Sequence, residues 1–346
     1  MIVARTPFRI SFAGGGSDIP SFYRQKVGGL SGGAVVSTTI DKYIYIAIHP
    51  YFHNKLRIRY AKTEDVDRVE DIQHPLVREC LQMLRVDKGM EIASFADVPA
   101  GTGMGSSSAF TVCLLHALHG LRSHAITAQQ LAEQSCDIEI NRVREPIGKQ
   151  DQYATAYGGL NYIQFHQDES VQVSPIQCSI RTKSDLEQRL MLFYVGQERP
   201  ARSILVEQSQ NMTSKDKFVQ VAKMVELASD LRRALEADDL SSFGEILDRG
   251  WRLKASLVAG ISNPMIESNY RLAKEAGAAG GKLLGAGGGG FLLLFCDPEK
   301  QAGVREALSD LREMQFKMTD AGSQVLYNDE THAPNVAALP AYSYRS

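Results

Sequence analysis

The stretch VPAGTGMGSSSAF, residues 98–110, sets glycines at 101, 103 and 105 just ahead of three serines and a run with helical periodicity. Glycines lack a Cβ, so a backbone carrying Gly101, Gly103 and Gly105 after Pro99 can close on an oligophosphate. Ser106, Ser107 and Ser108 fall where the first turn of a helix leaves its N–H groups unpaired. Those donors and the positive helix end form an anion site that needs no net protein charge. Serine hydroxyls also suit Mg²⁺. No lysine follows as in GxxxxGK[ST], and GxGxxG is only partly matched, so another group, most simply a metal, must offset the phosphate charge. The bland alternative is a glycine-rich helix cap.

Two carboxylates follow. On the helix expected from Thr127, residues Ala128, Leu131, Ala132 and Ser135 share one face, and Glu139 lies four residues beyond Ser135. A carboxylate ending an apolar face is costly unless it is paired or holds a cation. Twelve residues on stands Asp151, in EPIGKQDQYATAYGG. One carboxylate to hold Mg²⁺ and one to face an attacking hydroxyl is what metal-assisted phosphoryl transfer requires. Separately, each reads as a solvated helix end and a turn residue.

Two more glycine clusters stand out. In RTPFRISFAGGGSDIPSFY a strand ends in Gly14-Gly15-Gly16, followed by Ser17 and Asp18. A carboxylate on such a turn can accept hydrogen bonds from sugar hydroxyls, or merely form an Asx turn. In KLLGAGGGGFLLLF, glycines at 285 and 287–290 exceed what a turn needs. They imply backbone packed against a ligand or against the other glycine loop, with a plain turn as the alternative.

The elements that must carry these residues read as a mixture. Strands are expected at 9–14, 35–50, 55–60 and 90–96, and again in GGLNYIQF, RLMLFYV, GFLLLF and QVLY. Leu76, Val77, Cys80, Leu81 and Leu84 keep helical spacing, and Phe110, Cys113, Leu114, Ala117, Leu118 and Leu121 form one apolar helix face. Thr127 with Gln130 suggests a capped helix start. Helical pattern fills 215–260, NPMIESNYRLAKEAG and 299–312. Without regular βαβ alternation, the chain is expected to be α+β with two lobes, divided near 181–195 into residues 1–190 and 191–346.

With 346 residues, a formal net charge of −2 and 44% hydrophobic residues, the composition is that of a soluble globular protein. It carries no electrostatic footprint for nucleic acid or an anionic membrane. Five scattered cysteines without a CxxC pair fit neither a disulfide framework nor a zinc site, and point to a reducing compartment. No signal peptide and no run of about 18 apolar residues is visible, so a cytoplasmic location is expected.

Taken in order, RTPFRISFAGGGSD, PAGTGMGSSSA and KLLGAGGGGF resemble the three motifs of the GHMP kinase family, spread over nearly the whole chain. The resemblance implies a two-lobed fold, with an N-terminal lobe like domain two of a ribosomal protein and a ferredoxin-like C-terminal lobe. ATP and Mg²⁺ would lie in the cleft between them. Within the family the pattern is most similar to heptose 7-phosphate kinases, through AGGGSD, GKQDQYATAYGG, ISNPMI and GAGGGGF. Gly15-Gly16 stand where galactokinases carry Glu-His.

By position, the resemblance makes Asp151 the catalytic aspartate, with Arg9 beside the reacting hydroxyl. Glu139 and a loop serine, Ser106 or Ser107, would hold Mg²⁺, and Pro99 to Ser108 the ATP phosphates. Gly15, Gly16, Ser17, Asp18, Gly287 and Gly288 would face the sugar. An acceptor that already bears phosphate needs further cations, for which Lys149, Arg199 and Arg202 are candidates, each otherwise a solvated surface residue. The implied activity is ATP-dependent phosphorylation of the anomeric hydroxyl of a heptose 7-phosphate. A fucokinase-like enzyme for a free sugar is the rival, with a diphosphomevalonate decarboxylase further off. A non-catalytic sugar and ATP sensor is the alternative from another class. A symmetric homo-oligomer is expected.

Overall fold

The computed structural model describes residues 1–27, 30–122, 124–197, 201–212 and 214–329. Strand Ile2–Ala13 pairs antiparallel with the long strand Gly33–Pro50, and this pair is the spine of the first sheet. Val, Ile and Thr recur in both strands, with Phe in the first and Tyr in the second, and such β-branched and aromatic residues suit a pleated surface buried against helices. Gly33–Pro50 also pairs with Met90–Ala96 at one end and Asn161–Phe165 at the other. Leu56–Arg59 extends the sheet with Leu56 and Ile58 inward, as its alternation requires.

The second sheet is antiparallel, in the order Gly280–Leu283, Gly289–Phe295, Leu190–Gln197, Arg312–Glu313. Helices Phe243–Ala255 and Pro264–Glu275 pack on this sheet, and Lys215–Glu236 lies between Phe243–Ala255 and the first sheet. The chain then crosses back, and Met318–Thr319 and Gln324–Asn328 join the first sheet. The observed architecture is α+β with two lobes, as the sequence implies.

Three sequence expectations change in detail. The helix Ser106–Gly120 is buried on all sides from Ser108 to Leu115, not on one face, because it lies between the first sheet and helices Pro75–Met83, Ala128–Cys136 and Gln150–Tyr157. The helix expected over 299–312 shortens to Gln301–Ala307, since Arg312 and Glu313 are drawn into a ladder with Tyr194 and Phe193. A helix not foreseen, Ala201–Asn211, lies beside the cleft.

The lobes interlock through packing and one buried cation. Phe12 meets Phe243 edge-on at 5.2 Å, and Phe22 stacks on Phe218 at 4.6 Å. Lys282 crosses from the second sheet and donates to the Ser11 carbonyl at 2.7 Å. Burial holds its pKa well below the usual lysine range, aided by the charges of Lys254 and Arg9.

Candidate functional site

A cleft of about 1000 Å³ is lined by residues of both halves, among them Arg9, Gly16, Asp18, Ser106–Ser108, Asp151 and Gly285. The first motif reaches it through a bulge. The register of Ile2–Ala13 slips between Pro7 and Arg9, and the Arg9 N–H turns to the Met104 carbonyl of the glycine loop at 3.2 Å. The Arg9 side chain, 3% exposed, donates from Nε and Nη2 to both Asp151 oxygens at 2.8 and 2.7 Å. Its Nη1 donates to the Gly103 carbonyl at 2.6 Å. A planar fork held on three sides has one orientation, which a lysine could not reproduce.

Asp151 lies in the first turn of Gln150–Tyr157, where a carboxylate is favoured by the helix dipole. The loop entering that helix is fixed by Asp18, whose oxygens accept the Gly16 N–H at 3.1 Å and the Gln150 N–H at 3.2 Å. Burial pushes the Asp18 pKa up, and the Asp151 charge adds to this against the opposing N–H donors. Asp18 therefore forms its turn and also lines the cleft. Ser17 does not: its hydroxyl is buried against the Ala34 backbone. Gly15 is also absent from the lining, whereas Gly16 belongs to it.

Glu139 is not a solvated helix end. The helix Ala128–Cys136, capped by Thr127 and Gln130 as expected, runs on into a π-helical turn over Asp137–Arg142, a distortion common at functional sites. There Glu139 is fully buried and accepts Ser107 Oγ at 2.5 Å, Ser108 Oγ at 2.7 Å and Gln152 Nε2 at 2.7 Å. Desolvation raises its pKa to about 7, in spite of those three donors, and the Asp151 charge adds to the rise. The carbonyl Oε1 of Gln152 is buried there without a hydrogen-bond partner. Ser106 behaves differently, accepting the Gly101 N–H at 3.3 Å within its own loop.

Of the two readings of the glycine cluster, loop against loop is what the geometry shows. A Cβ on Gly103 would lie 2.4 Å from the Leu284 carbonyl oxygen, and one on Gly285 would lie 2.3 Å from the Gly103 Cα. Gly287 lines the cleft, whereas Gly288 gives its N–H to Ile261 and does not. The three candidate cations separate as well. Lys149 is held by Glu169, at 2.6 Å from its carboxylate, and does not line the cleft. Arg202 lines it, paired with Glu145 at 2.9 Å. Arg199 lies outside the described residues.

Among the buried polar residues of the cleft, two escape the sequence reading. Lys254, 6% exposed, donates to the Gly285 carbonyl, and Gln208, 1% exposed, sits against Gly16. A lysine three residues after Trp251, on the stripe Phe243, Leu247 and Trp251, was the available signal for the first. Gln208 gives no local signal. Among the described residues no helix is long and apolar enough to cross a membrane.

Comparison with known proteins agrees with this geometry. The GHMP kinases N terminal domain matches residues 75–159 and the GHMP kinases C terminal domain matches 231–312. A D-glycero-alpha-D-manno-heptose 7-phosphate kinase of Campylobacter jejuni is 28% identical, over 89% of this chain and 93% of its own. A bifunctional fucokinase/GDP-fucose pyrophosphorylase of Arabidopsis thaliana is 28% identical over 90% of this chain, which spans 31% of that longer protein. In fold, a D-glycero-D-manno-heptose 1-phosphate kinase of Bacteroides thetaiotaomicron superposes with a TM-score of 0.75, over 95% of this chain and all of that one, at 24% identity. The two GHMP kinase domains lie in order on this chain, it has the GHMP kinase fold, and the three sequence motifs meet in one cleft.

Proposed function

We propose that the protein transfers the γ-phosphoryl group of ATP to the anomeric hydroxyl of D-glycero-D-manno-heptose 7-phosphate. The product, heptose 1,7-bisphosphate, would feed nucleotide-heptose synthesis for a surface polysaccharide. The observation that carries the reading is the Arg9–Asp151 pair, held against the glycine loop inside the cleft. Asp151 orients the hydroxyl and accepts its proton as the oxygen attacks the γ-phosphorus and the bond to ADP breaks. Arg9 stabilises the charge that develops on that oxygen, and its fixed orientation means little reorganisation during the step. The glycine loop and the open end of Ser106–Gly120 bind the phosphates.

The groups around Glu139 fit Mg²⁺, because a buried carboxylate beside two serine hydroxyls offers oxygen ligands and has no cation among its hydrogen-bond partners, the third being the Gln152 amide. Glu139 and Ser107, with Ser108, would hold the ion. Among the described residues no group of three or more His, Cys, Asp or Glu could hold a metal, so phosphate oxygens would complete the set. When bound, the ion neutralises the phosphate charge. The free thiols of all five cysteines support a cytoplasmic setting.

A fucokinase-like reaction on a free sugar is the second reading. It is favoured by the fucokinase relative and by the commitment of Lys149 to Glu169, which leaves Arg202 as the one described member of the three candidate cations at the cleft. Mg-ATP-dependent ADP release distinguishes the two readings, measured with the heptose 7-phosphate, free heptose, mannose 6-phosphate, fucose and galactose. Turnover confined to the heptose 7-phosphate supports the first reading. Turnover of a free sugar alone replaces it with the second, and nucleotide binding without turnover of any sugar removes both.

A further inference from the structure

The second lobe contributes two buried polar side chains to the cleft that the phosphoryl-transfer machinery leaves unused. Gln208 stands on the helix Ala201–Asn211 and lines the cleft beside Gly16. Its Nε2 is buried and has no hydrogen-bond partner. The contact is close: a Cβ on Gly16 would lie 2.3 Å from that nitrogen, and Gly16 also holds a φ of +96°. The first motif thus needs glycine here for its backbone and for room beside the amide. Lys254 approaches from helix Phe243–Ala255. One of its N–H groups goes to the Gly285 carbonyl, and its charge is felt by Arg9, Asp18 and Asp151. An ammonium has three donors, so two are left over.

Buried donors without partners are uncommon in folded proteins, because each loses water and gains nothing. A site that reads hydroxyl groups is one place where this cost recurs, since the ligand supplies the missing acceptor. Asp18, which accepts hydrogen bonds, lines the same cleft and holds the Gly16 N–H, so acceptors and donors lie together beside Gly16. A polyol matches that arrangement because every hydroxyl both donates and accepts. We propose that Gln208 and Lys254 close the acceptor end of the cleft from the second lobe and donate hydrogen bonds to two hydroxyl oxygens of the sugar, in the space that Asp18 also lines. The inference rests on the sugar-kinase reading and adds to it: acceptor choice is set by the second lobe, through donors that a deoxygenated sugar leaves unpaired.

The test uses the full-length protein, Mg-ATP, whichever sugar of the panel the wild type turns over, and its singly deoxygenated analogues. Gln208→Leu and Lys254→Met are compared with wild type, with Gln208→Glu and Lys254→Arg as shape-preserving partners. In wild type, loss of the hydroxyl read by Gln208 lowers kcat/KM about 10²-fold or more. In Gln208→Leu the parent sugar loses a similar factor, the same deoxygenation then costs little, and KM for ATP stays within about twofold. Lys254→Met behaves likewise at a different hydroxyl, and Lys254→Arg retains part of the preference. Should Gln208→Leu fail to fold, Gln208→Glu supplies the same test, because it keeps the shape and removes the N–H donor. Unchanged deoxygenation penalties in folded variants overturn the assignment. A wild type inert toward every sugar overturns the sugar-kinase reading itself, a separate result.

Discussion

Arg9 and Asp151, separated by 142 positions in the chain, meet as a bidentate ion pair with both contacts below 3 Å. Arg9 is buried while the Asp151 side chain is 22% exposed, so the open side of the pair is the carboxylate, which faces the cleft. In the proposed reaction an acceptor hydroxyl arriving there would meet Asp151 first, with Arg9 behind it. Asp151→Asn keeps a carbonyl oxygen for Arg9 and should fold. Its kcat should fall about 10²- to 10⁴-fold, the range of a lost general base, with KM for ATP little changed. Steady-state kinetics and a thermal melt measured together check this, and a variant within tenfold of wild type would contradict the role of Asp151.

Glu139 supports a second prediction. Glu139→Gln removes the charge while keeping a side chain that can meet Ser107 and Ser108. It should raise the Mg²⁺ concentration needed for half-maximal activity at least about tenfold. Mn²⁺ binding to the protein–ADP complex, followed by electron paramagnetic resonance, should weaken in parallel. An unchanged metal dependence would leave Glu139 as a purely structural carboxylate.

These residues were legible in the sequence to different degrees, for physical reasons. Gly103 and Asp18 were visible because a turn or a close backbone approach restricts the residue type locally. Glu139 was visible as a misfit on an apolar face, although its π-helical turn was not, since that depends on what the helix packs against. The face chosen for Ser106–Gly120 was one of several that are buried, because periodicity cannot register a helix surrounded by other elements. Gln208 could not be read at all. Its helix gives a weak pattern, and the unpaired Nε2 lies against Gly16, 192 positions earlier in the chain.

The contact between the two glycine loops supports a third prediction. Gly103 holds a φ of +83° and Gly285 a φ of +74°, and each meets the other's backbone. Gly103→Ala therefore meets both conformational strain and overlap with the Leu284 carbonyl. A loss of about 1–3 kcal/mol in urea unfolding is expected, together with weaker nucleotide binding. Gly89→Ala is the control, since its φ of +72° is similar but its Cβ would meet nothing within 4 Å. A Gly103→Ala cost no larger than that of Gly89→Ala would mean that the loops part freely.

Lys254 makes stability depend on alkaline pH. Burial, helped by the Arg9 charge and opposed by Asp18 and Asp151, lowers its pKa to about 8. In the unfolded chain a lysine titrates near about 10.4, so between the two values the native state binds fewer protons than the unfolded state. Stability contributed by this group therefore rises with pH across that window. Below about pH 8 the full cost of a buried ammonium is present, about 3 kcal/mol from the shift. Lys254→Met lacks the titration. The stability of wild type minus that of the variant should thus climb by up to about 3 kcal/mol between pH 7.5 and 10.5, with titrating groups that do not feel Lys254 cancelling in the difference. Urea unfolding of both proteins at pH 7.5, 9 and 10.5 measures it. A difference that stays flat would mean that the ammonium is already compensated within the cleft, and that its two spare donors are not waiting for a ligand.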